Sequence, residues 1–136
     1  MKIVLDSNIL VAAIGRRSNY ADIWKSFISQ KYTLIISDEI VYEYEEILQL
    51  RSAKGASDIV IEIIMESSNV FYQQIYYSWN AIKQDPDDNK FFDIAVAGNA
   101  DYLVTNDAHF NILKQLSFPK VTIITAEDFL KILEQS

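Results

Sequence analysis

The chain has no cysteine among its 136 residues. This absence excludes disulfide bonds and thiolate metal sites, and it fits a reducing cytosol. Long hydrophobic runs are lacking too, because Asp6 and Asn8 interrupt the apolar N-terminal stretch MKIVLDSNILVAAIG, which also has no small-residue cleavage site. We therefore expect a cytoplasmic protein without a signal peptide or a membrane span.

Basic charge is scarce as well. The chain carries 12 Lys and Arg against 19 Asp and Glu, and its formal net charge is −7. We therefore expect no broad basic surface that grips nucleic acid by charge alone. The acidic balance still allows a nucleic-acid substrate, because bound divalent cations change the local sign of the charge.

The composition is that of a globular protein. Half of the residues are hydrophobic and 12% are aromatic, which is enough for a real core in a chain of this length. No repeat, linker or low-complexity tract marks a boundary, so we predict a single domain over residues 1–136.

Short apolar strands alternate with amphipathic helices along the chain. Strands are predicted at KIVL, YTLIIS, DYLVT and VTIIT, with a further short one at 70–75, and helices at 9–14, 21–30, 38–50, 56–68, 91–99 and 126–133. The strands are continuous apolar runs, which is typical of a parallel sheet buried between helix layers. The sequence therefore predicts an α/β fold.

Acidic residues follow the strands of this predicted sheet. Asp6 comes directly after KIVL, and Asn106 and Asp107 follow DYLVT. Glu43 lies one turn into the helix after YTLIIS. Asp88 lies inside the acidic stretch DPDDNKFFD, where Asp88 or Asn89 is predicted to cap the helix at 91–99. Because ligands of parallel sheets bind at the carboxyl ends of the strands, we expect the four carboxylates to converge on one pocket.

Carboxylates packed together do not all stay ionised unless a cation neutralises them. With only oxygen ligands, the natural occupant is a hard cation such as Mg²⁺ or Mn²⁺, and His109 is predicted not to be a ligand. Such sites assist phosphoryl or phosphodiester chemistry, in which one metal activates the attacking water and another stabilises the leaving oxygen.

Four segments carry a resemblance to a known family: VLDSNILVAAI, SDEIVYEYEEIL, DPDDNKFFDIAVAGNADYLVTND and IITAEDFL. Together they resemble the PIN domain family, and within it the branch of toxins from type II toxin–antitoxin pairs. The resemblance implies a three-layer α/β/α sandwich around a central parallel sheet of about four to five strands. It also implies Mg²⁺- or Mn²⁺-dependent endonucleolytic cleavage of RNA, and an antitoxin protein as a partner.

The resemblance also implies roles for individual residues. The metal-holding catalytic acids fall on Asp6, Glu43, Asp88 and Asp107. Supporting positions fall on Ser7, Asn8, Asp85, Asp93 and Asn106, where Ser7 replaces the usual threonine and keeps its hydroxyl. Asp93 is placed in support because five residues turn it about 140° around a regular helix from Asp88.

Further residues are candidates for binding. Arg16, Arg17 and Lys90 near the mouth of the crevice are candidates for phosphate contacts, with surface solubility as the alternative for each. The aromatic stretch VFYQQIYYSW is hard to bury in one small domain, so we expect a homodimer. Base stacking by these aromatic residues is a less favoured interpretation.

Simpler interpretations compete with the metal site. Asp6 can be a turn residue at a strand end, Asp88 and Asp107 can be helix caps, and Glu43 can be a solvated surface charge. Two other functions are a PIN-like scaffold that binds RNA or a partner without cutting, and a phosphatase or phosphotransferase of the haloacid-dehalogenase kind. The phosphatase needs a second aspartate two residues after Asp6, and Asn8 stands there.

Overall fold

A computed structural model describes residues 1–15, 18–83 and 85–135 of the chain. Arg16 and Arg17, two of the three predicted phosphate contacts, lie outside the described residues. None of the helices in the described ranges is long and apolar enough to cross a membrane.

A five-stranded parallel sheet forms the centre of the fold, as the sequence predicted. Its strands stand in the order β3-β2-β1-β4-β5, and every neighbouring pair is parallel. They are β1 (Lys2–Leu5), β2 (Thr33–Ile36), β3 (Val70–Tyr72), β4 (Tyr102–Val104) and β5 (Ile123–Ile124).

The third strand is shorter than predicted. It ends at Tyr72 rather than at residue 75, because Tyr72 pairs with Ile36, the last residue of its only neighbour, β2. The N–H of Gln73 donates one more hydrogen bond to the carbonyl of Ile36 (2.9 Å). Residues 73–82 then continue without regular secondary structure.

Helices cover the sheet and complete a three-layer α/β/α sandwich. The α-helices are α1 (Ser7–Ile14), α2 (Ala21–Ile28), α3 (Asp38–Arg51), α4 (Ala56–Glu66), α5 (Asn89–Ala97) and α6 (Ala126–Glu134), and short 3₁₀ helices span Pro86–Asp88 and Ala108–Gln115. Each predicted helix is therefore present, with ends that shift by one to a few residues.

The first turns of three helices are capped in different ways. At α3 the side chain of Ser37 accepts a hydrogen bond from the N–H of Ile40 (3.2 Å). The N-cap of α4 is Gly55, whose φ of 85° suits glycine, and the hydroxyl of Ser57 donates to the carbonyl of Glu45. At α5 Asp88 is the N-cap residue, but the preceding 3₁₀ turn gives it a helical backbone and its side chain makes no capping hydrogen bond.

The strand order places a crevice at the end of β1. The chain moves from β1 to one side for β2 and β3, and to the other side for β4 and β5. Tyr44 of α3 is fully buried and donates its hydroxyl to the carbonyl of Leu5 (2.6 Å), which ties α3 to the carboxyl end of β1. The residues after β1 and β4 therefore meet at a switch in strand order, where open α/β sheets bind ligands.

Candidate metal centre

Asp6 is the deepest acid of the crevice. It follows β1 directly and is only 4% exposed. Burial raises the pKa of its carboxyl group to about 6, against the hydrogen bond from Thr105 that lowers it, and the charges of Glu43 and Asp107 add to the rise. A carboxylate in this position is costly to keep charged without a cation.

Thr105 connects the acids that follow β1 and β4. Its buried hydroxyl donates to Oδ2 of Asp6 (2.8 Å) and accepts a hydrogen bond from the N–H of Asp107 (3.0 Å). Asp107 in turn accepts from the N–H of His109 through Oδ1 (2.9 Å), so it caps the following 3₁₀ helix. One hydroxyl thus contacts the carboxylate of Asp6 and the backbone of Asp107 at the same edge of the sheet.

Three aspartates and the histidine form a cluster beside Asp6. Asp85, Asp88, Asp107 and His109 each offer one ligand atom, and these four atoms lie within 4.8 Å of one another. Opposite oxygen ligands of a Mg²⁺ ion are about 4.2 Å apart, so the cluster is close to the size of one coordination sphere. That His109 is no ligand stays a prediction, although its Nδ1 lies 3.4 Å from Oδ1 of Asp107.

Asp88 carries the clearest sign of a missing partner. Its Oδ2 is buried and has no hydrogen-bond partner among the described residues. The pKa of Asp88 is raised to about 8, mainly by burial and also by the charges of Asp85, Asp6 and Asp107 and a side-chain hydrogen bond with Asp85. A buried oxygen without a partner, in a group whose negative charge is held at a cost, fits a cation ligand.

Asn89 fixes the turn that presents Asp88. Its buried side chain accepts from the N–H of Ile82 (2.8 Å) and donates to the carbonyl of the same residue (3.1 Å). The side chain of Asn89 therefore bonds to the preceding segment rather than to the first turn of α5. It holds the start of α5 against that segment and so positions Asp88.

Glu43 faces the crevice from α3, but both of its oxygens already have partners. Oε1 accepts from the ammonium group of Lys90 (2.7 Å) and Oε2 accepts from the hydroxyl of Ser7 (2.5 Å). Ser7 therefore contacts one of the predicted acids, and its role in supporting the site stays a prediction. Lys90, predicted to contact phosphate, is engaged with a carboxylate instead.

Two predicted supporting residues, Asn8 and Asn106, do not contact the acids through their side chains. Asn8 accepts from Arg51 (2.7 Å), and only its backbone N–H reaches Asp6. Asn106 donates to Tyr20 (3.2 Å) and accepts from the N–H of Ala126 (3.0 Å), so it joins the β4 end to α6.

Asp93 lies apart from the cluster, so the prediction that it supports Asp88 was wrong. Its buried carboxylate accepts from the N–H of Trp79 (3.1 Å). Burial raises its pKa, and the charge that adds to this rise is that of Glu39. Asp93 and Glu39 line a separate groove of about 420 Å³, because a helix position five residues after Asp88 faces another side.

The residues present suit a divalent cation with oxygen ligands. The carboxylate oxygens of Asp85, Asp88 and Asp107 lie close enough together to bind one ion. Asp6 is near enough for its charge to raise the pKa of Asp88. The unpartnered Oδ2 of Asp88 is the observation that favours a cation over a purely structural network. Thr105 and Asn89, which hold these acids, were not anticipated from the sequence.

Comparison with known proteins places the chain in a family. Its sequence matches the PIN domain family over residues 2–109. No curated protein sequence gives a significant match. Solved structures with a similar fold come from several bacteria, at identities that show the fold alone.

Three of these structures illustrate the likeness. VapBC2 from Rickettsia felis, crystallised with a promoter DNA fragment, has a TM-score of 0.61 and 18% identity, covering 92% of this chain and 98% of that one. FitAcB from Neisseria gonorrhoeae has a TM-score of 0.60 and 13% identity, with 92% and 98% covered. The sarcin–ricin loop-cleaving toxin VapC20 of Mycobacterium tuberculosis has a TM-score of 0.57 and 13% identity, with 80% and 92% covered. From its sequence match, the chain belongs to the PIN domain family.

Proposed function

We propose that this chain is a metal-dependent endoribonuclease that hydrolyses RNA phosphodiester bonds, and that it is the toxin of a type II toxin–antitoxin pair. The observation that carries the proposal is the acid cluster around the unpartnered Oδ2 of Asp88. Mg²⁺ or Mn²⁺ is the cofactor that such a set of oxygen ligands favours.

The side chains of the crevice have distinct roles in this proposal. Asp88 and Asp107 hold the cation with Asp85 and Asp6 beside them, and Thr105 keeps Asp6 and Asp107 in position. When bound, the cation supplies an activated water and neutralises the charge that develops on the phosphate. Asp88 must lose its proton to become a ligand, so metal binding releases protons where that carboxyl group is protonated.

RNA is the proposed substrate because VapC20, one of the structural relatives, is a toxin that cleaves the sarcin–ricin loop. The net charge of −7 agrees with a site whose positive charge comes from a bound cation rather than from a basic surface. The scaffold alternative makes the opposite prediction, namely binding without cutting. The phosphatase alternative is disfavoured because Asn8 is bound to Arg51 and offers no acid.

The first test is the metal dependence of RNA cleavage. Protein freed of metal with EDTA should leave a single-stranded RNA intact, and Mn²⁺ or Mg²⁺ should restore cleavage. We expect a rate increase of at least ~100-fold, because the cation supplies both the activated water and the charge stabilisation. Denaturing gels of an end-labelled RNA would show the products. Equal cutting with and without metal would refute the proposed chemistry, and RNA binding without cutting would favour the scaffold.

The second test concerns an antitoxin partner. The relatives VapBC2 and FitAB were crystallised with DNA, and their fold likeness leads us to propose a DNA-binding antitoxin for this chain as well. A small open reading frame next to the gene should encode it. Expression of the chain alone in a bacterial host should stop growth, and co-expression of the neighbour should restore growth and yield a complex that co-purifies. Unimpaired growth with active enzyme present would speak against the toxin role.

The homodimer also stays a prediction. Tyr76 and Tyr77 are 83% and 64% exposed, and Phe71 and Tyr72 are partly exposed beside them. These exposed aromatic side chains lie in one segment, and such a patch is typical of a protein–protein interface, so we still predict a homodimer.

A further inference from the structure

Lys90 occupies an unusual position for a lysine. It lies in the first turn of α5, where the helix dipole disfavours a positive charge. Its side chain is only 21% exposed, although lysine is rarely buried without a partner. The partner is Glu43 of α3, whose Oε1 lies 2.7 Å from its ammonium nitrogen. This contact offsets the unfavourable location.

The ion pair of Lys90 and Glu43 has no counterpart in the described part of the chain. Within residues 1–15, 18–83 and 85–135, it is the one contact within 4 Å between a Lys or Arg and an acidic side chain. It lies at the most acidic place in the fold, where Asp6, Asp85, Asp88 and Asp107 carry no such partner in these ranges. Among the residues that the structure describes, Lys90 thus places one fixed positive charge at a side of the crevice.

The acids of the crevice fall into two sets around Asp6. In one set, each oxygen of Glu43 accepts a hydrogen bond, from Lys90 and from Ser7. In the other, Asp88, Asp85 and Asp107 lie together, and Oδ2 of Asp88 has no partner among the residues that the structure describes. Asp6 is linked to both sets, because Thr105 bonds both Asp6 and the N–H of Asp107, and Ser7, the residue after Asp6, bonds Glu43.

We propose that the ammonium group of Lys90 supplies a positive charge to the site in addition to that of the bound cation. It holds Glu43 and leaves room for one divalent cation, at Asp88 and Asp107. The inference deepens the proposed function, because it assigns the number of metal ions and the role of Glu43. A divalent ion on Glu43 has to compete with the ammonium group for the carboxylate and lie close to its positive charge, which disfavours binding there. In two-metal sites the second ion stabilises the leaving oxygen, and here the ammonium group is the cation available for that role.

The number of bound Mn²⁺ ions tests the proposal without any measurement of cleavage. Mn²⁺ would be titrated by calorimetry and counted by electron paramagnetic resonance in metal-free protein. The wild type should bind one ion per chain. Lys90→Met keeps the aliphatic stem and removes the charge, so it should bind two ions, with the spin–spin coupling of a close pair. Lys90→Arg keeps the charge and should bind one.

A double variant locates the second ion. Adding Glu43→Gln to Lys90→Met should return the count from two to one, because the new site needs the released carboxylate. Lys90→Gln gives the same comparison with a polar side chain if Lys90→Met melts at a lower temperature than the wild type. Two ions in the wild type, or one ion in both neutral variants, would overturn the proposal. Failure of the proposed RNA cleavage would leave these counts unchanged, so the two failures are distinguishable.

Discussion

Asp88→Asn should abolish metal-dependent RNA cleavage and leave the fold intact. The substitution removes the negative charge of a proposed ligand, whose Oδ2 is buried without a partner in the described part of the chain. The expected loss is ~100-fold or more, because a misplaced cation neither activates water nor neutralises the developing charge. The fold should not suffer, since the Asp88 side chain caps no helix and its pKa of about 8 reflects a charge that the fold holds at a cost. Rates on single-stranded RNA in Mn²⁺ and melting curves would measure both effects.

Asp87→Asn is the matched control for this experiment. Asp87 is the preceding residue, the change in charge is the same, and its side chain is exposed to solvent outside the acid cluster. It should cleave within about twofold of the wild type, as expected for a surface charge that does not touch the site. An active Asp88→Asn protein, or an inactive Asp87→Asn protein of normal stability, would show that Asp88 is not the metal ligand in this segment.

The positions of Asp6 and Asp107 could be predicted from the sequence because they depend on topology. Continuous apolar strands indicate a parallel sheet, and the carboxyl ends of neighbouring parallel strands share one edge. The residues after β1 and β4 then meet whatever the details of packing. Asp88 was predictable for the same reason, since it begins the helix that leads into β4.

The contacts that hold the acids could not be predicted in this way. Thr105 bonds to Asp6 across 99 positions of the chain, and Lys90 reaches Glu43 across 47. Such contacts depend on side-chain directions in two packed elements, and a pattern of residue types does not contain them. Asp93 shows the opposite error, because the family resemblance implied a supporting role beside Asp88 while the helix directs its side chain to the N–H of Trp79.

Asp6→Asn should also lower the cleavage rate, by ~100-fold or more, because a charged neighbour of the cation is lost. It should further change the stability of the fold in a way that depends on pH. Burial raises the pKa of Asp6 from 3.8 to about 6. A carboxyl group whose pKa is higher in the folded than in the unfolded chain binds its proton more tightly in the folded state. Its contribution to stability is therefore present at low pH and is lost as the pH rises from 3.8 to about 6. The metal-free wild type therefore loses stability between about pH 4 and pH 6 on account of this group, by up to about 3 kcal/mol.

Asparagine has no such titration, so the melting temperature of metal-free Asp6→Asn relative to the wild type should rise from pH 4 to pH 7. The hydrogen bond from Thr105 can be kept by the amide oxygen, which limits any constant cost of the substitution. Added Mn²⁺ should then reverse the order at pH 7, because a ligand that binds only the folded state stabilises the wild type and the variant has lost part of the site.

Asp93→Asn separates burial from metal binding in this experiment. Asp93 is also buried with a raised pKa, but its carboxylate accepts from Trp79 and lies outside the acid cluster. It should share the pH-dependent gain in metal-free stability and should keep both the stabilisation by Mn²⁺ and the cleavage. If Asp6→Asn is stabilised by Mn²⁺ as much as the wild type, Asp6 takes no part in holding the cation. Equal loss of the Mn²⁺ effect in Asp93→Asn would instead mean that the cation binds in the groove of Asp93 and Glu39.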